Sequence, residues 1–285
     1  MKQKLIYSLA TLSLLTCTPR LTASNADYWQ AADYYENSSS QKDAATDLMQ
    51  YVPIAGNEMI LDVGCGDGKL TAAIATRLPQ GAIFGIDNSP SMIAFAKQNF
   101  PRSGHNNLDF NIQDAQQLNF SALFDVIFSF TTLQWVQSHD AFLEGAYRSL
   151  KNRGTLAITM PMGLPTTLEQ AVNELVASPD WADYFKEFST GWNFVEQQEY
   201  GNKLAAHHFV AKRLEVVPQK DIFPSRVIFE KFISQWFPYL RPLPQEKKQQ
   251  FMQATIDRFL ELEPPFPNGE VHFKIRRLEV VANKV

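Results

Sequence analysis

The sequence is short of several things, and each shortage removes a class of function. It has two cysteines, Cys17 and Cys65. A disulfide scaffold is therefore excluded, and nothing in the cysteine count argues for an oxidising compartment. It has five histidines, and no His/Cys/Asp cluster has the spacing of a metal centre. No metal site is expected. There is no long basic run, and the net charge is −4, so nucleic acid is not expected as a partner. The lysine pair Lys247-Lys248 reads as a solvated helix face. Internal repeats and low-complexity tracts are also missing.

Long apolar runs are equally scarce. The one that stands out is Leu5 to Leu15, preceded by Lys2 and Lys4 and followed by the small residues Thr22-Ala23-Ser24. That is the layout of a secretory leader, and the run is too short to span a bilayer comfortably once mature. Residues 1–23 are therefore set apart as a signal-like segment, and no stable membrane span is expected after processing. Cys17 gives a poor match to a lipoprotein site, because Thr16 stands directly before it. The whole chain of 285 residues has the 45% hydrophobic and 20% charged residues of an ordinary globular protein and is long enough for a full core.

What the chain does have is Leu61-Asp62-Val63-Gly64-Cys65-Gly66-Asp67-Gly68 between an apolar stretch and a helical one. A strand, a glycine turn and a helix in that order bring backbone N–H groups close to a nucleotide-like ligand. An acid is then due about 20 residues on, at the end of the next strand, to hold ribose hydroxyls. Asp87 stands there, closing Gly81 to Ile86. The dinucleotide fingerprint puts its third glycine three after the second. Here Gly68 follows Gly66 by two, which disfavours a nicotinamide oxidoreductase.

Strands are expected at Met59–Leu61, Gly81–Asp87, Asn107–Ile112, Phe124–Phe130, Gly154–Met160, Arg213–Ile222 and Val271–Val281. Helical segments separate the first five. Ser89-Pro90 supplies an N-cap with proline at the first helical position. The alternation predicts an α/β fold: a doubly wound, seven-stranded, mostly parallel sheet. After Pro161 the rhythm changes to aromatic-rich helical segments over 165–212 and 224–262, expected to form a helical lid. The chain divides on this reading into a core at 24–161 and a lid with the last two strands at 162–285.

Several blocks together resemble the class I S-adenosylmethionine-dependent methyltransferases, and within them the trans-aconitate methyltransferase branch. They are Leu61–Thr71, Gly85–Ile93, Phe124–Val136 with its Leu133-Gln134-Trp135, Ala157–Pro161 and Leu240-Arg241-Pro242. The likeness covers about residues 27–284. It implies S-adenosylmethionine as cofactor, with Asp62, Gly64 and Gly66 around its methionine part and Asp87 on the ribose. Asn88 or Met92 would lie beside the adenine, Asp114 would accept from the adenine amino group, and Phe130 with Thr131 would close the fourth strand near the transferred methyl. Asp114 has a plainer reading as the N-cap of a short helix.

For the acceptor, Arg241 offers the planar bidentate partner that a carboxylate calls for, against the reading of a surface arginine in a proline-rich turn. Trp135 is either pocket lining or core. Arg276 and Arg277 point to opposite faces of the last strand, so at most one can reach a pocket. No acid/base pair stands out, and no catalytic residue is assigned. A carboxylate acceptor is ionised at neutral pH and needs none. The expected reaction is therefore O-methylation of a small carboxylic acid such as trans-aconitate, by a monomer. Rivals are a phenol, an amine or an acyl-carrier-bound acid as acceptor, a phenol drawing on His139 or His208 as base, and a non-catalytic exported cofactor-binding protein. The leader argues for export or membrane association, whereas cofactor supply argues for the cytoplasm.

Overall fold

The structure, a computed structural model, describes Trp29, residues 31–37 and residues 39–285. The signal-like segment at 1–23 lies outside the described residues. Among the described residues, no helix is long and apolar enough to cross a membrane.

The expected strands form one seven-stranded sheet in the order β3-β2-β1-β4-β5-β7-β6. They are β1 (Met59–Val63), β2 (Ala82–Asp87), β3 (Leu108–Ile112), β4 (Phe124–Phe130), β5 (Leu150–Pro161), β6 (Phe209–Phe223) and β7 (Val271–Lys284). The first five pair in parallel, and β7 runs antiparallel between β5 and β6. The order reverses at β1 and β4, so their carboxyl ends open the crevice where such sheets bind ligands.

Side chains alternate across these strands into two cores, as strand geometry requires. Leu61, Val63, Phe84 and Ile86 enter one core, with Phe142, Leu143 and Ala146 of α5 (His139–Ser149). Ile60 and Ile83 enter the other. There they meet Leu48 of α2 (Ser39–Met49), Ile74 of α3 (Lys69–Ala75), and Ile93 and Ala96 of α4 (Pro90–Asn99). Burial of each large apolar side chain contributes roughly 1.5–3 kcal/mol. The start of α4 is set by Ser89, whose side chain accepts from the Met92 amide at 3.1 Å, with Pro90 next. A short α1 (Ala31–Asn37) precedes α2.

A third core lies apart from the sheet. The antiparallel β6–β7 pair runs from Phe209–Lys284 out to Phe223–Val271, while β5 pairs with β7 only as far as Arg277. The projecting end carries Phe223, Val271 and Phe273 into a cluster with α6 (Thr166–Val176), α8 (Arg226–Ser234) and α9 (Gln245–Leu262). Buried positions recur at helical spacing: Leu168, Ala171 and Val172 on α6, and Phe229, Phe232 and Ile233 on α8. The helix α7 (Gln197–Ala206) differs from the sequence expectation. Its Tyr200 and Leu204 pack in the sheet core beside α5, not with these helices. Pro218 is tolerated in β6 because β6 is an edge strand, with one side free of ladder bonds.

Candidate active site

The glycine turn after β1 is shaped by the backbone. Gly64 and Cys65 donate to the Ile86 carbonyl at 2.7 and 2.9 Å, folding the turn onto the end of β2. Gly64 has φ +78°, and a Cβ there would lie 2.1 Å from Thr132 Oγ1, so only glycine fits against the loop after β4. Gly66, at φ +53°, donates its N–H to Asp87 Oδ2 at 3.0 Å, while the Ser89 N–H donates to Asp87 Oδ1 at 2.9 Å.

A cleft of about 340 Å³ opens on this turn at the carboxyl ends of β1, β2 and β4. Gly64, Gly66, Asp87, Asn88, Met92, Asp114, Phe130, Trp135 and Arg241 all line it. Nine of the ten residues singled out from the sequence are thus brought to one cavity. Asp114 also does what its plainer reading asks, capping the short turn of helix Ala115–Gln117 through the Gln116 N–H at 2.8 Å.

Asp62 is the exception. It is 2% exposed, lies outside the cleft lining, and accepts from Thr71 Oγ1 at 2.6 Å. Burial, reinforced by Asp87 and Asp67, pushes its carboxyl pKa up to about 7 against the opposing Thr71 hydrogen bond. Asp67, also in the turn, is raised by burial and keeps Oδ2 without a partner. Three carboxylates therefore crowd one glycine turn. That is a poor cradle for a pyrophosphate and a good one for a ligand carrying cationic groups, as S-adenosylmethionine does with its ammonium and sulfonium.

Two aromatic residues that sequence reasoning passed over close the cleft. Tyr34 lies with Cε1 3.8 Å from where a Gly66 Cβ would be, and burial followed by the nearby Asp67 and Asp87 raises its hydroxyl pKa. Trp29 packs edge-on against both Tyr34 and Trp135 at 5.8 and 5.7 Å. Their signal was a run of aromatic residues around Trp29 and along α1, with nothing local to say what it covers.

A second, inner cavity of about 90 Å³ adjoins the cleft. Trp29, Tyr34, Thr131 and Trp135 line both, so these four mark the junction. Thr131, at the end of β4, has φ +52°, a conformation that β-branched residues rarely take. Of the two arginines on the last strand, Arg277 is the one that reaches a cavity, lining the inner one, while Arg276 is exposed. Arg241 stands on the cleft side, its guanidinium carbon 5.2 Å from the Trp135 ring centroid and Nη1 donating to the Thr190 carbonyl at 3.3 Å.

The proposed bases are elsewhere. His139 is buried at the start of α5, with Nε2 2.8 Å from the Leu133 carbonyl, and burial holds its pKa down. His208 packs on Tyr147. Neither lines either cavity. Cys65 is buried, and desolvation raises its thiol pKa well above the ordinary value. Among the described residues, no group of three or more His, Cys, Asp or Glu side chains could hold a metal ion.

Comparison with known proteins agrees with this geometry. The methyltransferase domain family matches residues 54–211, more than half of the chain. A trans-aconitate 2-methyltransferase of Methylobacterium nodulans is 27% identical over 263 residues, covering 90% of this chain and 98% of the relative. Among solved structures, the YcgJ protein of Bacillus subtilis superposes with a TM-score of 0.57 at 14% identity, covering 85% of this chain and 98% of that one. The geranyl diphosphate C-methyltransferase of Streptomyces coelicolor, solved with geranyl diphosphate and S-adenosyl-L-homocysteine, gives 0.52 at 15%, covering 85% and 77%. The chain belongs to the methyltransferase domain family and is a class I S-adenosylmethionine-dependent methyltransferase resembling the trans-aconitate branch.

Proposed function

We propose that the chain transfers a methyl group to a carboxylate oxygen of a small organic acid. The observation that carries this is the set of titratable side chains around the two cavities. Among the described residues they are Tyr34, Asp87, Asp114, Arg241 and Arg277, with no histidine, lysine or cysteine. Asp87 is engaged by the Gly66 and Ser89 amides and Asp114 by the Gln116 amide. A phenol or an ammonium acceptor would have to lose a proton to one of these, whereas a carboxylate arrives ionised.

The cleft residues divide the work of holding the cofactor, with Asp87 on the ribose, Asn88 and Met92 beside the adenine, and Asp114 on the adenine amino group. Gly64 and Gly66 admit its methionine part, and Asp62, outside the lining, supports the turn from beneath through its hydrogen bond from Thr71. S-adenosylmethionine supplies a methyl already activated by its sulfonium. The chain's task is to align the acceptor and exclude water at the junction between Thr131, Tyr34 and Trp135. With the cofactor bound, a carboxylate oxygen held there would accept that methyl, the electron pair of the methyl–sulfur bond staying on sulfur, and no residue of the chain would have to take a proton. The helices α6, α8 and α9 would serve as the lid.

Calorimetric titration of S-adenosylhomocysteine into the full chain, with NADH as comparison and Asp87→Ala as control, tests the cofactor assignment. Micromolar binding lost in the variant supports it, and preference for NADH sinks it. Turnover with organic acids, trans-aconitate first because the relatives are named for it, then tests the acceptor. The product must be an ester that mild alkali hydrolyses.

A further inference from the structure

Resting on that reading, we propose that the acceptor is a monocarboxylic acid with an apolar body, its single carboxylate at the junction and its body in the inner cavity. Polycarboxylates such as trans-aconitate are then poor substrates of this chain.

Three observations point this way. The walls of the inner cavity are largely aromatic and apolar, including Trp192, Phe194, Phe232, Trp236 and Phe273. Such a surface gains by covering hydrocarbon and loses by stripping water from charge.

Among the described residues, the one cation lining the cavity, Arg277, is already paired. The Arg277 guanidinium meets Glu279 and Asp47, each at 2.8 Å, and Nη1 donates to Gln219 Oε1 at 3.0 Å. Nε donates to Glu279 as well, at 2.9 Å. Of the five N–H donors of a guanidinium, about one remains, and its charge is already met by Asp47 and by Glu279, a carboxylate it shares with Arg213 Nε at 2.8 Å. An acid with several carboxylates would bury negative charge here without compensation.

The polar atoms at the cavity that lack a partner are uncharged oxygens. Gln41 Oε1, Gln134 Oε1 and Thr159 Oγ1 are buried without one. Gln134 Nε2 is engaged by the Thr131 carbonyl at 2.9 Å, which turns its oxygen away from that bond. The two amide oxygens accept hydrogen bonds and repel carboxylates, and the Thr159 hydroxyl offers one uncharged donor, too little for several carboxylates. A single carboxylate has a better place at the junction. There the Tyr34 hydroxyl, kept protonated by its surroundings, and Arg241 beside Trp135 are both at hand.

The test is a substrate panel on the full chain with saturating S-adenosylmethionine: octanoate, trans-cinnamate, trans-aconitate and octylamine, followed by product mass and by quenching of tryptophan fluorescence. The expected result is kcat/KM for octanoate or trans-cinnamate at least about tenfold above trans-aconitate. Phe194→Asp should remove most of that advantage while S-adenosylhomocysteine still binds within about threefold of wild type. Preference for trans-aconitate overturns the inference and leaves the carboxylate reading intact. Preference for octylamine overturns the carboxylate reading while the apolar cavity assignment stands. No turnover or quenching by any of the four, with S-adenosylhomocysteine bound, overturns both. Should Phe194→Asp fail to fold, the wild-type panel decides alone.

Discussion

Thr71 Oγ1 donates a 2.6 Å hydrogen bond to Asp62 Oδ2 behind the glycine turn, and this single bond is what opposes the burial of the Asp62 carboxyl. The outcome is a pKa of about 7, so burial together with Asp87 and Asp67 outweighs Thr71. A folded-state pKa above the unfolded value means that the folded chain holds the extra proton.

The pH dependence follows from that sign. Below about pH 4 Asp62 is protonated in both states, and its contribution to stability is complete. As pH rises toward 7 the unfolded chain ionises first, so stability is lost progressively, and above 7 the loss is complete. Asp62→Asn does not titrate. Its stability relative to wild type should therefore climb between about pH 4 and 7 and then level off, by an amount on the order of a few kcal/mol. Urea unfolding at about pH 4, 6 and 8 measures it. A difference that stays flat with pH would show that Asp62 titrates normally.

Gly64 should tolerate no side chain. A Cβ would sit 2.1 Å from Thr132 Oγ1 and 2.6 Å from Thr132 Cβ, at a φ of +78°. Left-handed strain and overpacking each cost about 1–3 kcal/mol. Gly64→Ala should lower the midpoint of thermal unfolding and weaken S-adenosylhomocysteine binding more than about tenfold. Gly104→Ala is the control, since its nearest neighbour would be the Pro101 carbonyl at 3.8 Å, and it should change neither.

Arg241 should matter for the acceptor and little for the cofactor. A charge-assisted hydrogen bond is worth about 1.5–3 kcal/mol, so its loss is about tenfold or more in KM. Arg241→Lys keeps the charge but not the planar fork. Its KM for the preferred acid should rise about tenfold, with kcat within about threefold and S-adenosylhomocysteine affinity unchanged. An equal loss of cofactor affinity would place Arg241 on the cofactor instead.

The parts of this molecule that were legible in its sequence are those set by local chemistry. The Ser89-Pro90 cap, the seven strands and the glycine turn follow from residues next to one another, and Asp87 follows from the length of one strand–helix–strand unit. What was not legible depends on distant packing. Asp62 reads as a ligand residue, yet Thr71 and two further acids turn it into a buried group. The segment that carries α7 reads as lid, yet Tyr200 and Leu204 find the sheet core. The inner cavity draws its walls from the start of α2, the ends of β4 and β5, the loops around Trp192 and Trp236, and the paired strands β6 and β7. No single window of sequence contains it.

Thr131 is where stability and activity should part. Its φ of +52° costs a β-branched residue about 1–3 kcal/mol, and the strain is held by one backbone and one side-chain hydrogen bond: its N–H donates to the Thr159 carbonyl at 2.8 Å, and its carbonyl accepts from Gln134 Nε2 at 2.9 Å. Glycine takes that conformation without strain, but the freer unfolded chain costs about 0.5–1 kcal/mol. Thr131→Gly should therefore be neutral to about 2.5 kcal/mol more stable. The same side chain lines both cavities at their junction, where the proposed reaction would bring the acceptor oxygen to the methyl, so its removal should loosen their alignment and admit water. We expect kcat to fall at least about tenfold while S-adenosylhomocysteine binds as before. Thermal unfolding and steady-state kinetics on the one variant measure both. A drop in stability would show that the backbone at Thr131 is not strained. An unchanged kcat would move the point of methyl transfer away from the end of β4.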